Sequence, residues 1–242
     1  MGYLQIQLYC LPLKLYSQSA SFRLPEEHTF QSTLPLPSVT AITGLIGAAL
    51  GIKFEEAMEF KKENKLHFGI YGTHKSRVYD LWKHYKIKSK ETISSVLIRE
   101  VLFSVSIELL IASDNIDILQ NVHDAFINPC YALSLGTSDD IAKLTHITEP
   151  LPIQISLISN IENTCLRGDI SGEYTSSINL SDIPINQSIF PPRVYLLPTE
   201  YSFKDGSRKL SAKEPFTFIS QPITLDTPIE GIEYNKRRFP LI

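Results

Sequence analysis

Tyr71, His74 and Lys75 lie close together in a stretch unusually rich in cations. Cleavage of RNA without a metal needs a general base for the 2′-hydroxyl, a general acid for the leaving oxygen and a cation for the phosphorane. A tyrosine, a histidine and a lysine could supply that set. The plainer reading is that the three residues hold phosphate or face solvent. Around them, residues 61–90 carry nine Lys/Arg and two Asp/Glu, a local net of +7. Residues 91–150 carry two Lys/Arg and nine Asp/Glu, a local net of -7. The whole chain of 242 residues nets only -3, so its average hides this polarity.

Aromatic residues interleave with the cations. Tyr71, Tyr79, Trp82 and Tyr85 alternate along the chain with Lys75, Arg77 and Lys83. Cations on phosphates release counterions, and aromatic faces stack on unpaired bases. The competing reading buries Trp82 and Tyr85 in a core and leaves the lysines solvated. Other chemistries lack their residues. There is no GxxxxGK[ST] loop, no HExxH and no GxSxG. Gly44, Gly47 and Gly51 do not form the dinucleotide fingerprint. Asp139–Asp140 could offer oxygens to a hard cation, but such a pair more often caps a helix. Cys10, Cys130 and Cys165 are odd in number and contain no CxxC pair, which argues against a disulfide framework or a zinc site. No metal and no cofactor is expected.

These residues need elements to position them. Residues 3–9 alternate apolar and polar side chains and predict a strand. Pro25, Pro35 and Pro37 predict an extended loop over residues 22–37. Thr40 to Ile52 predicts a helix, with Thr40 as its cap and Gly51 as its end. Gly44 and Gly47 share one side of that helix, where either another element or a ligand approaches closely. Val78, Leu81, Trp82 and Tyr85 fall at helical spacing and predict a short amphipathic helix. Residues 98–112 read as a strand, 114–126 as a helix broken by Asn128–Pro129, and Cys130–Gly136 as another strand. The order β-α-β-β-α-β is ferredoxin-like, the arrangement RNA-recognition modules also use. From Thr148 onward short strands and prolines dominate, with polar loops expected at 171–187 and 204–213.

Hydrophobic residues make up 43% of the chain, enough for a packed core. No signal peptide is read at the N-terminus. The longest apolar stretch, Ala41–Ile52, is short of the roughly 20 residues needed to span a bilayer. With the reduced cysteines, a soluble cytoplasmic protein is expected.

Two stretches carry a family resemblance. FRLPEEHTFQSTLPLPSVTAITGLIGAALGI (Phe22–Ile52) places Arg23 before a proline-rich loop and a T-x-I-x-G-L-x-G-A-x-x-G helix. REVLFSV (Arg99–Val105) and NPCYALSLGTSDDI (Asn128–Ile141) follow. Together they resemble the CRISPR-associated Cas-five family of the RAMP superfamily, whose members are subunits of type I Cascade complexes. Thr137 stands where the resemblance implies a basic residue.

The resemblance implies an α+β fold. Residues 1–147 would form a ferredoxin-like, RNA-recognition-like domain with a basic thumb-like insertion at about 61–95, and residues 148–242 a smaller β-rich unit. It implies a non-catalytic antiviral role, binding the guide RNA (crRNA) 5′ handle and capping the backbone. Expected partners are the guide RNA, the Cascade backbone subunit and the large subunit, with target DNA met only indirectly and no membrane. The RNA-binding set would comprise Arg23, Thr40, Gly44, Gly47, His74, Lys75, Arg77, Tyr79, Trp82, Lys83 and Arg99. One branch of the family processes repeat RNA with tyrosine, lysine and histidine. A metal-independent endoribonuclease using Tyr71, His74 and Lys75 is therefore the alternative.

Overall fold

The computed structural model describes residues 7–24, 26–27, 29–88, 91–177 and 190–242. The expected strand's residues 3–6, Pro25 and residues 178–187 of the expected polar loop lie outside them. The chain order begins β1 (Leu8–Ala20), β2 (Phe22–Arg23), β3 (Phe30–Gln31), β4 (Thr33–Leu34), α1 (Val39–Leu50) and α2 (Phe54–Glu63). It continues β5 (His67–Lys88), β6 (Glu91–Ser113), α3 (Ile116–Ile127), β7 (Ala142–Ile147), β8 (Leu151–Ile153), β9 (Ser156–Ile161), β10 (Thr164–Arg167) and β11 (Tyr174–Ser176). It closes with β12 (Arg193–Lys204), β13 (Ser207–Ile219), β14 (Ile223–Tyr234) and β15 (Arg237–Pro240).

The central sheet runs β5-β6-β1-β7, each neighbour antiparallel to the next. Residues 109–112 of β6, LLIA, are apolar without alternation because both faces of the sheet are covered. On one face Leu11, Leu13, Phe68, Ile70, Ile107 and Leu109 pack with Ile42 and Ile46 of α1 and Leu119, Val122 and Phe126 of α3. On the other, Cys10, Leu110 and Ala112 pack with Ile232 and Phe239 of β14 and β15. Each fully buried Leu, Ile or Phe contributes about 1.5–3 kcal/mol. The helix-side core also takes in Cys165, Leu197, Phe216 and Phe218, so it includes side chains from both sides of residue 148. Burial pushes the thiols of Cys10 and Cys165 up to about 12, which leaves them unreactive.

Helix ends are fixed locally. Ser38, not Thr40, caps α1, its hydroxyl accepting from the Ala41 N–H at 3.3 Å. Gly51 ends the helix as expected, with a left-handed φ of 76°. Asn115 caps α3 by accepting from Asp117 and Ile118.

Three expectations are corrected. Residues 78–85 are not a helix but part of β5, paired residue by residue with β6 from Val78↔Val101 to Tyr85↔Ser94. Residues 130–136 are not a strand. Their amides turn to α1, with the Cys130 and Tyr131 N–H donating to the Ala49 and Ala48 carbonyls at 3.0 and 3.1 Å, and only a single bridge, Ser134↔Ile141, is ladder-like. Those amides satisfy orphaned helix-end carbonyls instead of a strand partner. Residues 204–213 are not a loop but the turn and arm of the β12–β13 hairpin.

One residue reorients the sheet. Val105 and Leu102 are three apart in β6, so strict alternation would put them on opposite faces. Both sit in the helix-side core. Between them Ser104 takes a left-handed φ of 53°, and it is skipped in the pairings with both β1 and β5. This costs roughly 1–3 kcal/mol, which the surrounding ladders hold in place.

Candidate nucleic-acid interface

β5 and β6 outrun the sheet that roots them. The pairing of β1 with β6 stops at Ala20↔Leu102, and β3 covers only Ile98 and Arg99. Beyond this, β5 and β6 pair only with each other, out to Lys88↔Glu91. From Leu81 outward the ribbon is roughly 25 Å long at about 3.3 Å per residue. A two-stranded ribbon cannot bury both faces, so its apolar residues stay in water. Tyr79, Leu81 and Tyr85 are 67%, 68% and 64% exposed.

Alternation divides the ribbon's faces. Arg77, Tyr79, Leu81, Lys83 and Tyr85 share one face, where the Lys83 ammonium lies 5.4 Å from the Tyr85 ring and Phe30 meets Tyr79 at 5.8 Å between centroids. Trp82 is on the other face, with the Arg99 guanidinium 3.6 Å above its ring. Arg99 is buried, and its Nε finds no hydrogen-bond partner among the described residues. Lys75 is exposed. The Arg77 guanidinium is drawn inward to the buried Glu100, 3.4 Å away. Glu100 also accepts the Thr33 N–H at 2.9 Å, joining the proline-rich segment to the ribbon root. Burial, and then the neighbouring Arg77 charge, hold the His74 imidazole below its ordinary value.

Tyr71, His74 and Lys75 do not converge. Tyr71 packs on the β14–β15 side of the sheet, where its hydroxyl accepts from Asn163 at 3.2 Å and the Arg237 guanidinium lies 4.1 Å from its ring. His74 pairs with Val105, on the helix side. Lys75, skipped in the pairing with β6, is exposed. Arg237 and Lys14 both bind the buried Glu108 carboxylate, Lys14 at 2.6 Å. Burial alone would raise that carboxyl. The hydrogen bonds from Arg237 and Lys14 outweigh it and hold Glu108 below the usual carboxylate range.

The other candidates are dispersed. Arg23 is exposed on β2, opposite Thr33. Thr40 is half-buried in the first turn of α1, its hydroxyl 3.1 Å from that of Ser38. Gly47 sits at a packing contact. It is buried, and a Cβ there would stand 2.9 Å from the Ala57 methyl of α2. At Gly44 a Cβ would meet only the Phe54 ring, at 3.8 Å. Asp140 neither caps a helix nor forms part of a metal cluster. It accepts from the hydroxyls of Ser19 and Thr137, the latter at 2.8 Å, and pins the turn. Among the described residues no three metal-ligating side chains cluster, and no helix is long and apolar enough to cross a membrane.

Sequence reasoning missed Glu100, Phe30 and Phe190. Phe190 is bracketed by Arg77 and Arg193 at 5.6 and 5.3 Å. An acid flanked by Arg99 and Val101 inside an apolar strand was the available signal for Glu100. Nothing local marks the two phenylalanines.

Known proteins place the chain. No curated protein sequence matches it. A chain of a solved "CRISPR RNA-guided surveillance complex" is 14% identical, with a TM-score of 0.54 over 90% of this chain and 91% of that one. A chain of a Type III-B Cmr-beta complex bound to cognate target RNA and AMPPnP is 12% identical, with a TM-score of 0.51 over 91% of this chain and 86% of that one. At such identities the likeness is one of fold. The family model described as "CRISPR-associated protein (Cas_Cas5)" matches residues 10–195, and the chain therefore belongs to this CRISPR-associated Cas-five family.

Proposed function

We propose that this chain is a non-catalytic RNA-binding subunit of a type I CRISPR surveillance complex, holding the 5′ handle of the guide and capping the backbone. The observation that carries this is the β5–β6 ribbon, whose exposed Tyr79 and Tyr85 alternate with cations on an arm standing clear of the core. Rings of this kind stack on splayed bases while Lys75 and Lys83 neutralise phosphates. The sheet order β5-β6-β1-β7, with α1 and α3 between its strands, supports a ferredoxin-like, RNA-recognition-like domain in which the ribbon is the thumb. The partners are the guide RNA, the backbone subunit and the large subunit, and target DNA is met indirectly. The separation of Tyr71 from His74 onto opposite faces supports a role without cleavage.

The test is fluorescence anisotropy of the protein, alone and in its co-expressed complex, with guide RNA bearing the native or a scrambled 5′ handle. EDTA is present throughout, and the same RNA is run on a gel. The native handle should bind preferentially, remain uncut, and lose affinity steeply with salt. Equal binding of both handles would refute handle recognition. A discrete cut, lost in His74→Ala, would establish the endoribonuclease instead.

A further inference from the structure

The second long hairpin, β12–β13, has the same construction as the first. It leaves the core after Leu197 and Phe216 and turns at Asp205–Gly206. Lys204, Arg208 and Lys209 surround that turn, all exposed, against the single acid Asp205. None of the three forms an ion pair among the described residues. Three exposed cations without ion partners make a local positive field that favours an anion at the hairpin tip.

The tip is also held stiff. Phe54, the first residue of α2, meets Tyr201 at 5.8 Å and Phe203 at 6.2 Å between centroids. The Arg208 guanidinium lies against two of these rings, 5.3 Å from Phe54 and 4.7 Å from Tyr201. Stacking fixes the plane of the guanidinium and leaves its N–H edge available, the arrangement suited to a phosphate. The pairs Ser202↔Lys209 and Lys204↔Ser207 put Lys204 and Lys209 together on the face away from these rings. The glutamates Glu55, Glu56 and Glu59 of α2 are nearby in sequence to Phe54, and Glu56 is occupied with the Lys53 N–H at 2.9 Å. At their roots the two hairpins meet, because Phe190 contacts both Arg77 of β5 and Arg193 of β12.

We infer that the β12–β13 tip is a second RNA-contacting element, gripping the sugar–phosphate backbone through Lys204, Arg208 and Lys209. The inference rests on the proposed RNA-binding role and extends it beyond the thumb. The contact is to phosphate, since the tip carries no exposed ring for a base. It therefore adds affinity without reading sequence.

The experiment compares Lys204→Glu/Lys209→Glu with Lys75→Glu/Lys83→Glu and the unaltered protein, using anisotropy with native- and scrambled-handle guide RNA across a salt series. Both lysines face away from the aromatic cluster, so the first variant keeps the hairpin's packing, and circular dichroism checks this. That variant should bind about tenfold more weakly, with a salt slope shallower by about 1.4 for two lost phosphate contacts. Its preference for the native handle should be unchanged. Affinity within twofold of the unaltered protein with the same slope, while Lys75→Glu/Lys83→Glu binds more weakly, would overturn the second contact and leave the thumb standing. Loss of subunit assembly with full RNA affinity would make the tip a protein contact and also overturn it. Failure of the unaltered protein to bind RNA would defeat both readings.

Discussion

The inner and outer halves of β5 obey different rules. From Phe68 to Gly72 the strand is covered on both faces, and Phe68 and Ile70 are completely buried. Farther out, Tyr79, Leu81, Tyr85 and Ile87 of the same strand are all exposed, Ile87 at 84%. The inner half is held by packing and the outer half mainly by its ladder with β6. In the proposed RNA-binding role, affinity belongs to the outer stretch and stability to the inner one, and substitutions should separate them.

The largest effect belongs to the inner half. Phe68→Ala should cost about 3–5 kcal/mol, read by chemical denaturation. A loss below about 1 kcal/mol would mean the root is not the core described. In the outer half, Tyr79→Ala and Tyr85→Ala should each change stability by less than about 0.5 kcal/mol. Each should weaken guide binding by about 1–3 kcal/mol if it stacks on a base. Equal loss of stability at both ends of the strand would erase the contrast.

A subtler test lies on the β15 side of the root. The Glu108 carboxyl is depressed in the folded protein, so the unfolded chain takes up its proton first. Its contribution is complete above the ordinary value of 4.5 and is lost as pH falls from there through the depressed one. Glu108→Gln should cost about 1–3 kcal/mol at pH 7 and flatten the acid limb of a stability–pH curve. An unchanged acid limb would remove the Lys14–Glu108–Arg237 cluster from the account. The smallest effect is expected at Gly44, where a Cβ has ordinary room. Gly44→Ala should stabilise by about 0.5–1 kcal/mol through helix propensity. Gly47→Ala, crowded by Ala57, should destabilise, and thermal melts would distinguish the pair.

The contrast also explains what the sequence made legible. The inner strands and α1 and α3 each bury a face, so their periodicity survives in the residues, as in Leu119, Val122 and Phe126. The outer ribbon leaves Tyr79, Leu81, Tyr85 and Ile87 in water, so burial imposes no period of two on them. Val78, Leu81, Trp82 and Tyr85 fell at helical spacing there without a helix to use it. The cations and rings of the arm were readable in the sequence, but their distribution over two faces was not. Arg77 and Arg99 looked alike in sequence. Only the fold shows that one answers Glu100 and the other lies buried over Trp82. The glycine pair read as one feature divides as well, Gly47 serving α2 packing and Gly44 lying beside the ring that anchors the second hairpin.

Ser104 bears on how such an arm could diversify. Its single left-handed torsion exchanges the faces of β6 at the point where the ribbon leaves the sheet. The root's inward and outward sides are thereby decoupled from whatever happens farther out. Residues could be added or lost at the far turn in matched pairs, lengthening or shortening the reach while leaving the domain's interior untouched. The arm is in that sense a replaceable tool on a fixed handle.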